Sequence, residues 1–308
     1  MNRRKFFKNS FGAGMAAATA LTLGTTPRIL SNIKKTENET LYDLAAVKGG
    51  EPDVMFDKAI SAVGGMQRFV KKNQVVVVKP NIGWNAEPAR AANTNPKLIS
   101  RVVEHCYEAG AKEVYVFDHT CDNWQLCYTN SSIEKAVKDA GGKVVPGNSE
   151  SYYHDVDIAK GKSLKQAAVH ELILESDVFI NIPVLKHHSS TQLSIAMKNL
   201  MGVVWDRRYW HRNDLHQCIA DYPTFKKPDL NIIDAYSVMK KNGPKGVSEA
   251  DCILYKSQII STDIVAADAA AAKLFGHSAT DIGYIKIADE MGVGTMNLEN
   301  LSISRIKI

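Results

Sequence analysis

Four consecutive valines, Val75 to Val78, narrow the folds open to this chain more than any other feature. An apolar run without polar alternation is typical of a strand buried on both faces, as in a parallel sheet covered by helices on both sides. Strand and helix patterns then alternate four times over about 140 residues. We therefore predict an α/β fold with a doubly wound, mostly parallel sheet and helices on both faces.

Local patterns place the individual elements. Predicted strands lie at 41–47, 74–79, 113–117, 143–145, 177–182, 230–234, 252–261 and 301–308. Predicted helices lie at 53–63, 95–110, 131–140, 167–175, 193–201, 209–220, 263–275 and 281–291, and the polar segment 148–165 predicts an insertion or a short hairpin. We expect residues 39–308 to form one domain with a regular lobe, 39–185, and a less regular C-terminal α/β lobe, 186–308.

The first residues predict an export signal. Arg3 and Arg4 are adjacent, Lys5 and Lys8 follow, and a weakly apolar stretch rich in Ala, Gly and Thr covers residues 11–24. This order of features resembles a twin-arginine signal peptide. The apolar stretch is too short and too weakly apolar for a stable membrane span. We expect residues 1–26 to be the signal and 27–38 a linker. The other interpretation is a basic start followed by a buried helix.

Export has consequences for location and partners. The twin-arginine translocase would be a partner during export, and the mature protein would be periplasmic or otherwise extracytoplasmic, with no stable membrane span after cleavage. The formal net charge is +5, and without the four leader cations it is +1, so the composition gives no argument for a nucleic-acid partner.

The cysteine pattern excludes some cofactors. The five cysteines include no C-x-x-C pair, so the sequence has no ferredoxin-type iron–sulfur motif and no zinc knuckle. Cys121 and Cys127 share one loop, and a disulfide between them is one possibility outside the cytoplasm. No glycine-rich nucleotide loop and no G-x-S-x-G elbow is present.

Charged and metal-capable residues follow four predicted strands. They include Lys79 after the valine run, Asp118 after the next strand, Lys186 after residue 182 and Asp234 after residue 233. Ligands of doubly wound sheets bind beyond the carboxyl ends of the strands. Strand ends are also commonly polar because they are exposed, which is the alternative explanation. Convergence of these side chains would create a cleft in which lysines neutralise a small anionic ligand.

Lys198 and the segment after it draw particular attention. Lys198 has apolar neighbours and no acidic residue within seven positions, so its partner must be a distant acid or a bound ligand. A lysine that extends to solvent is the alternative.

The segment 205–216 is rich in aromatic and basic residues and predicts a flap over a site, or otherwise a packed surface helix.

Several short segments stand out in order along the chain: Val78-Lys79-Pro80-Asn81, Asn181 to His188, Ala196-Met197-Lys198-Asn199-Leu200-Met201-Gly202, Asp234 followed by Asn242-Gly243-Pro244, and Ser261-x-Asp263-x-Val265-Ala266-x-Asp268. Over about residues 40–290 this pattern resembles the domain of unknown function 362 family. Many members carry ferredoxin-like cysteine repeats, which this sequence lacks, so iron–sulfur chemistry is not implied here.

A more distant likeness is to the nickel-pincer lactate racemase family. It implies that His187 or His188 and Lys198 lie where that family contacts its nickel cofactor. The glycine-rich run that the family has around its lysine is missing here. Only the idea of a cleft between two α/β lobes is therefore transferred.

The predicted site residues fall into three groups. Those expected to be catalytic are Lys79, Lys186, His187 and Lys198. Those expected to bind substrate are Asn81, Asn199, Asp234, Asp263 and Asp268. Those expected to hold a divalent metal, if one is used, are Asp118, His119 and His188.

The expected function is that of an exported enzyme acting on a small anionic substrate in a cleft lined by Lys, His and Asp, with a metal or cofactor as an option. The reaction class stays open between racemase- or isomerase-like chemistry and oxidoreductase chemistry. The alternatives are a non-catalytic metal- or ligand-binding protein of the cell envelope and a structural partner of another exported protein.

Overall fold

A ten-stranded sheet organises residues 41–308, the part of the chain that the computed structural model describes. The predicted signal peptide, 1–26, and linker, 27–38, lie outside the described residues. The strands are β1 Leu44–Lys48, β2 Val75–Pro80, β3 Glu113–Val116, β4 Lys143–Val144, β5 Tyr153–Asp157, β6 Gln166–His170, β7 Val178–Ile182, β8 Val184–His188, β9 Gln192–Ser194, β10 Leu230–Met239, β11 Cys252–Ser261 and β12 Ile303–Lys307.

Ten helices accompany the strands in this part of the chain. They are α1 Pro52–Ala62, α2 Pro96–Glu108, α3 Trp124–Asn130, α4 Ile133–Asp139, α5 Glu171–Glu175, α6 Ala196–Asn199, α7 Arg207–Arg212, α8 Leu215–Asp221, α9 Ile264–Phe275 and α10 Gly283–Glu290. None of the helices within residues 41–308 is long and apolar enough to cross a bilayer.

The sheet is mostly parallel, which confirms the predicted fold class. Its order is β12-β1-β11-β10-β7-β2-β3-β4, with β8 paired to β10 and β9 to β8. Along the main order only β11 runs against its neighbours, β1 and β10. The short strand β9 is antiparallel to β8, and β5 and β6 form a separate antiparallel pair.

The valine run explains how the two faces are covered. Val76 and Val78 are buried in one core with residues of α1 and α2, whereas Val77 is buried in a second core with residues of α9. Successive side chains of a strand point to opposite faces, so a strand between two helical layers must be apolar at every position. The continuous valine pattern therefore marks the middle of the sheet.

Helix starts follow the predicted capping residues. The Asn95 side chain accepts a hydrogen bond from the Lys97 backbone N–H at 3.0 Å, and Pro96 occupies the first turn of α2. Asp263 accepts from the N–H groups of Val265 and Ala266, at 2.8 and 3.0 Å. Both residues satisfy backbone donors that the first turn of a helix leaves unpaired.

Three predicted helices, 167–175, 193–201 and 209–220, differ in the structure. The predicted helix 167–175 begins as strand β6, because its backbone pairs with β5, and only α5 is helical. The predicted helix 209–220 is split into α7 and α8 at Asp214, which has φ 49° and caps α8 by accepting from the Gln217 N–H. Long-range pairing and a left-handed residue override the helical pattern.

One sheet contains strands from both predicted lobes. The boundary between residues 185 and 186 falls inside β8, and strands from both predicted lobes alternate in one sheet. The C-terminal region is less regular only around β9 and α6, where the predicted helix 193–201 is reduced to a four-residue turn of α-helix followed by a 3₁₀ turn.

Candidate functional site

A pocket of about 520 Å³ lies at the carboxyl ends of β2 and β3 and alongside β8. We call it the strand-end pocket. It brings together eight of the twelve predicted site residues: Lys79, Asn81, Asp118, His119, Lys186, His188, Lys198 and Asn199. His187, Asp234, Asp263 and Asp268 do not line it.

Lys79 and Asp118 form the floor of the strand-end pocket. The Lys79 Nζ lies 3.0 Å from Asp118 Oδ1 and donates to the backbone oxygen and the Oδ1 of Asn199, at 2.6 and 2.8 Å. Burial lowers the pKa of Lys79, and the Asp118 carboxylate opposes that shift. These three oxygens already surround the Lys79 ammonium group. It therefore links residues of the pocket floor to one another and has no free position for a ligand.

Gly202 is required for this ion pair to close. A Cβ atom at this position would lie 1.9 Å from Asp118 Oδ1 and 2.5 Å from Lys79 Nζ. The backbone oxygen of Gly202 also accepts a hydrogen bond from the His119 N–H at 3.0 Å. The glycine in the Lys198-Asn199-Leu200-Met201-Gly202 segment therefore serves close packing.

A chain of side-chain amides connects the floor to the middle of the sheet. The Asn199 Nδ2 donates to Asn181 Oδ1 at 2.9 Å, and the Asn181 Nδ2 donates to Asn231 Oδ1 at 3.1 Å. Asn181 and Asn231 are fully buried and were not among the predicted site residues. The sequence indicates them only as a single Asn inside each of two apolar strands. A buried Asn side chain needs hydrogen-bond partners, so such a residue predicts a buried polar contact.

Two further lysines enter the strand-end pocket without a carboxylate partner. The Lys186 Nζ donates to Asn81 Oδ1 at 2.8 Å and to the backbone oxygen of Ala92, both neutral. Burial lowers the pKa of Lys186 to about 7. Lys198 has no hydrogen-bond or ion-pair partner among residues 41–308, and burial together with repulsion from Arg207 and Lys79 lowers its pKa to about 8.

Helix α7 covers one side of the strand-end pocket. The Arg207 guanidinium donates to the backbone oxygens of His119 and Thr120, each at 2.8 Å, and to Cys121 Sγ at 3.3 Å. Arg208 and His211 also line the pocket. Trp210, on the other side of the same helix, is buried in the core. The segment 205–216 was expected to be either a flap over a site or a packed surface helix. Its helix α7 has features of both, because one side lines the pocket and the other packs into the core.

The predicted metal ligands do not converge. The His119 ring bonds to the Val204 backbone oxygen at 2.9 Å and stacks on Trp205, and the His188 Nδ1 accepts from the Ser190 N–H at 3.1 Å. Asp118 is engaged by Lys79. Within the described residues no three His, Cys, Asp or Glu side chains form a metal-binding group. Asp118, His119 and His188 therefore do not form a three-ligand metal site of their own.

Three aspartates that were predicted to bind substrate accept hydrogen bonds from backbone N–H groups at the beginnings of helices. Asp234 accepts from the Asn95 N–H at 2.7 Å, at the start of α2, and Asp263 caps α9. Asp268 accepts from the N–H groups of Ala196 and Met197, at 2.6 and 3.1 Å. Unpaired N–H groups at a helix start attract a carboxylate, which explains the role of these residues. Asp268 positions α6 and therefore its Lys198 and Asn199.

His187 is directed away from the strand-end pocket. Its Nδ1 accepts from the Gly243 N–H at 3.1 Å, whereas its neighbours Lys186 and His188 line the pocket. Side chains alternate along β8, so the two histidines lie on opposite faces of the strand and His188 is the one that lines the pocket.

Cys121 and Cys127 are not joined by a disulfide in the structure. Cys121 is an exposed free thiol, and Cys127 is a buried free thiol that donates to the Gly83 oxygen at 3.7 Å.

Comparisons with known proteins place the chain among relatives. It is 25% identical over 226 residues to the thylakoid-associated protein sll1697 of Synechocystis sp., which covers 68% of this chain and 69% of that protein. The lactate racemase apoprotein of Thermoanaerobacterium thermosaccharolyticum is similar with a TM-score of 0.44 and 11% identity, over 82% of this chain. A protein of Thermotoga maritima is similar with a TM-score of 0.47 and 10% identity, over 78% of this chain.

The chain spans 58% and 60% of the length of these two solved structures, and similarities at this level carry no argument about the site. The sequence model of the Domain of unknown function (DUF362) matches residues 76–273, which is more than half of the chain. The protein therefore belongs to the DUF362 family, as its Lys-His and Lys-Asn-x-x-Gly segments indicated.

Proposed function

We propose that the protein binds a small anionic substrate in the strand-end pocket and catalyses a proton transfer on it, as an isomerase or racemase does. One observation carries the proposal: Lys186 and Lys198 enter the pocket without a carboxylate partner, while the pocket's Asp118 is already paired with Lys79. Unpaired cations in a partly buried site are costly unless an anion binds there.

The enzymatic part of the proposal is supported by the state of Lys198. An amine whose pKa is lowered to about 8 exchanges its proton near physiological pH, which is the property that a general acid or base needs. His188 is a second group in the same pocket, and burial lowers its pKa to about 3, so its imidazole is neutral there. The competing candidate is a non-catalytic anion-binding protein, which would share the ligand but show no turnover.

Sulfate binding should weaken as the pH rises. Lysines are charged below their pKa, so Lys186 and Lys198 attract an anion at pH 6 and lose their charges through pH 7 and 8. We expect sulfate affinity to fall at least about tenfold between pH 6 and pH 9. Sulfate keeps its charge over this range, so isothermal titration calorimetry at constant ionic strength reports the protein alone. Affinity that is constant or rises with pH would refute binding by these lysines.

We also propose that the protein acts outside the cytoplasm, because residues 1–26 carry the twin-arginine pattern. The similar Synechocystis protein is described as thylakoid-associated. Replacing Arg3 and Arg4 by Lys keeps the charge and removes both guanidinium groups. We expect the double variant to accumulate in the cytoplasmic fraction, measured by immunoblotting of cell fractions. Normal export of this variant would refute the twin-arginine route.

A further inference from the structure

We propose that the ligand of the strand-end pocket is a polyanion with at least two negatively charged groups, either a di- or tricarboxylate or a phosphoryl compound, rather than a monocarboxylate. The inference rests on the proposed function, which requires only an anion. It adds the number of charges and their distribution on the ligand.

The charges that line the pocket are unbalanced. Asp118 is the one carboxylate among its lining residues in the described part of the chain, and Lys79 neutralises it. Four further basic side chains line the pocket and form no ion pair with any described residue: Lys186, Lys198, Arg207 and Arg208. The two arginines stay charged near neutral pH, whereas burial lowers the pKa of Lys186 to about 7 and that of Lys198 to about 8, so the lysines add their charges as the pH falls. Arg207 binds two backbone oxygens and a thiol, which leaves its charge uncompensated. A monocarboxylate would offset one positive charge, whereas the two arginines alone carry two.

The four cations come from three different elements. Lys186 belongs to β8, Lys198 to α6, and Arg207 and Arg208 to α7. A single carboxylate brings one negative charge on two adjacent oxygens, so it offsets only part of the charge that these elements contribute. Two or three anionic groups on one molecule match this distribution.

The other groups in the pocket are consistent with a polyanion. Burial lowers the pKa of His188 and of His211, so both imidazoles are neutral near pH 7 and add hydrogen-bonding capacity without charge. The lining also includes the hydroxyl groups of Ser189, Ser190 and Ser194, which are donors to anionic oxygens. Lys198 interacts electrostatically with Arg207, Lys79, Lys186 and the Cys121 thiol, and it lowers the pKa of the nearby His188, His211 and His216. Among these groups only the thiol can become negative.

The size of the pocket allows such a ligand. Its volume of about 520 Å³ is far larger than a three-carbon acid needs and falls in the range of pockets that enclose much larger molecules. Both the charge and the volume of the pocket therefore favour a ligand that is larger than a three-carbon acid and carries several negative charges.

A charge series tests the inference on the native protein. Propionate, succinate and tricarballylate carry one, two and three carboxylates, and inorganic phosphate and pyrophosphate form a phosphoryl arm. We expect affinity, measured by isothermal titration calorimetry at pH 7 and constant ionic strength, to rise about tenfold with each added carboxylate. Arg208→Gln should weaken tricarballylate about tenfold and propionate little. Lys135→Met, at an exposed lysine of α4, is the matched control and should change neither.

The outcomes separate the two levels of the proposal. Propionate binding as tightly as tricarballylate, with phosphate as tight as pyrophosphate, would overturn the polyanion inference and leave anion binding intact. Absence of binding in the whole series would overturn the proposed function as well. A steeper gain from phosphate to pyrophosphate than along the carboxylates would support the inference and assign the ligand to the phosphoryl class.

Discussion

Replacing Lys79 by Met is expected to lower the free energy of unfolding by about 3–5 kcal/mol, because it leaves a buried carboxylate without its cation. Asp118 is 2% exposed, and its Oδ1 lies 3.0 Å from the Lys79 Nζ. The substitution keeps the length of the side chain and removes its charge and its bonds to Asn199. Urea unfolding followed by circular dichroism measures the change.

A double variant provides the control. Lys79→Met combined with Asp118→Asn also removes the uncompensated negative charge, and we expect it to recover most of the lost stability. Asp118→Asn alone should also lower the free energy of unfolding, because it leaves the buried Lys79 ammonium without its carboxylate. Wild-type stability of the single Lys79→Met variant would contradict the buried ion pair at the floor of the pocket.

Lys198→Met should show the opposite pattern. It removes a cation that has no partner in the described structure and that is repelled by Arg207 and Lys79, so we expect the unfolding temperature to be unchanged or raised. Sulfate affinity should fall at least about tenfold, measured by calorimetry at pH 6. Lys135→Met removes an equivalent charge from an exposed surface and should preserve sulfate binding. A folded Lys198→Met protein with full sulfate affinity would exclude this lysine from the anion site.

The sequence grouped Lys79, Asp118 and Lys186 because each follows a predicted parallel strand, and the carboxyl ends of such strands lie at the same edge of a sheet. In the structure all three line the strand-end pocket, although Lys186 lies within β8, a strand that the sequence pattern did not predict. Asp234, Asp263 and Asp268 do not line the strand-end pocket, although they follow strands or lie in a matched segment. Each bonds to the start of a helix whose position in space is not visible in the sequence.

Other features could not be predicted because they depend on distant contacts. The Asn181–Asn231 amide pair forms only where β7 and β10 are neighbours, which no local pattern specifies. The helical pattern of residues 167–175 yields to pairing with β5 for the same reason. The arginines of α7 were noticed as part of an aromatic and basic segment, but their docking on the loop after β3 required the fold.

The exposed thiol of Cys121 offers a direct measure of the central claim, which is that the strand-end pocket attracts anions. Cys121 lines the pocket together with Lys186 and Lys198, and its Sγ lies 3.3 Å from an Arg207 nitrogen. Iodoacetate and iodoacetamide alkylate the same thiolate, so the ratio of their rates depends on the local potential and not on the fraction of thiolate. Mass spectrometry of the Cys121 peptide gives both rates.

We predict that this ratio is about tenfold higher in the folded protein than in the same protein unfolded in urea, because unopposed cations concentrate the anionic reagent. It should fall toward the unfolded value in Lys198→Met and at high salt. A ratio in the folded protein equal to or below that of the unfolded chain would contradict a cationic pocket.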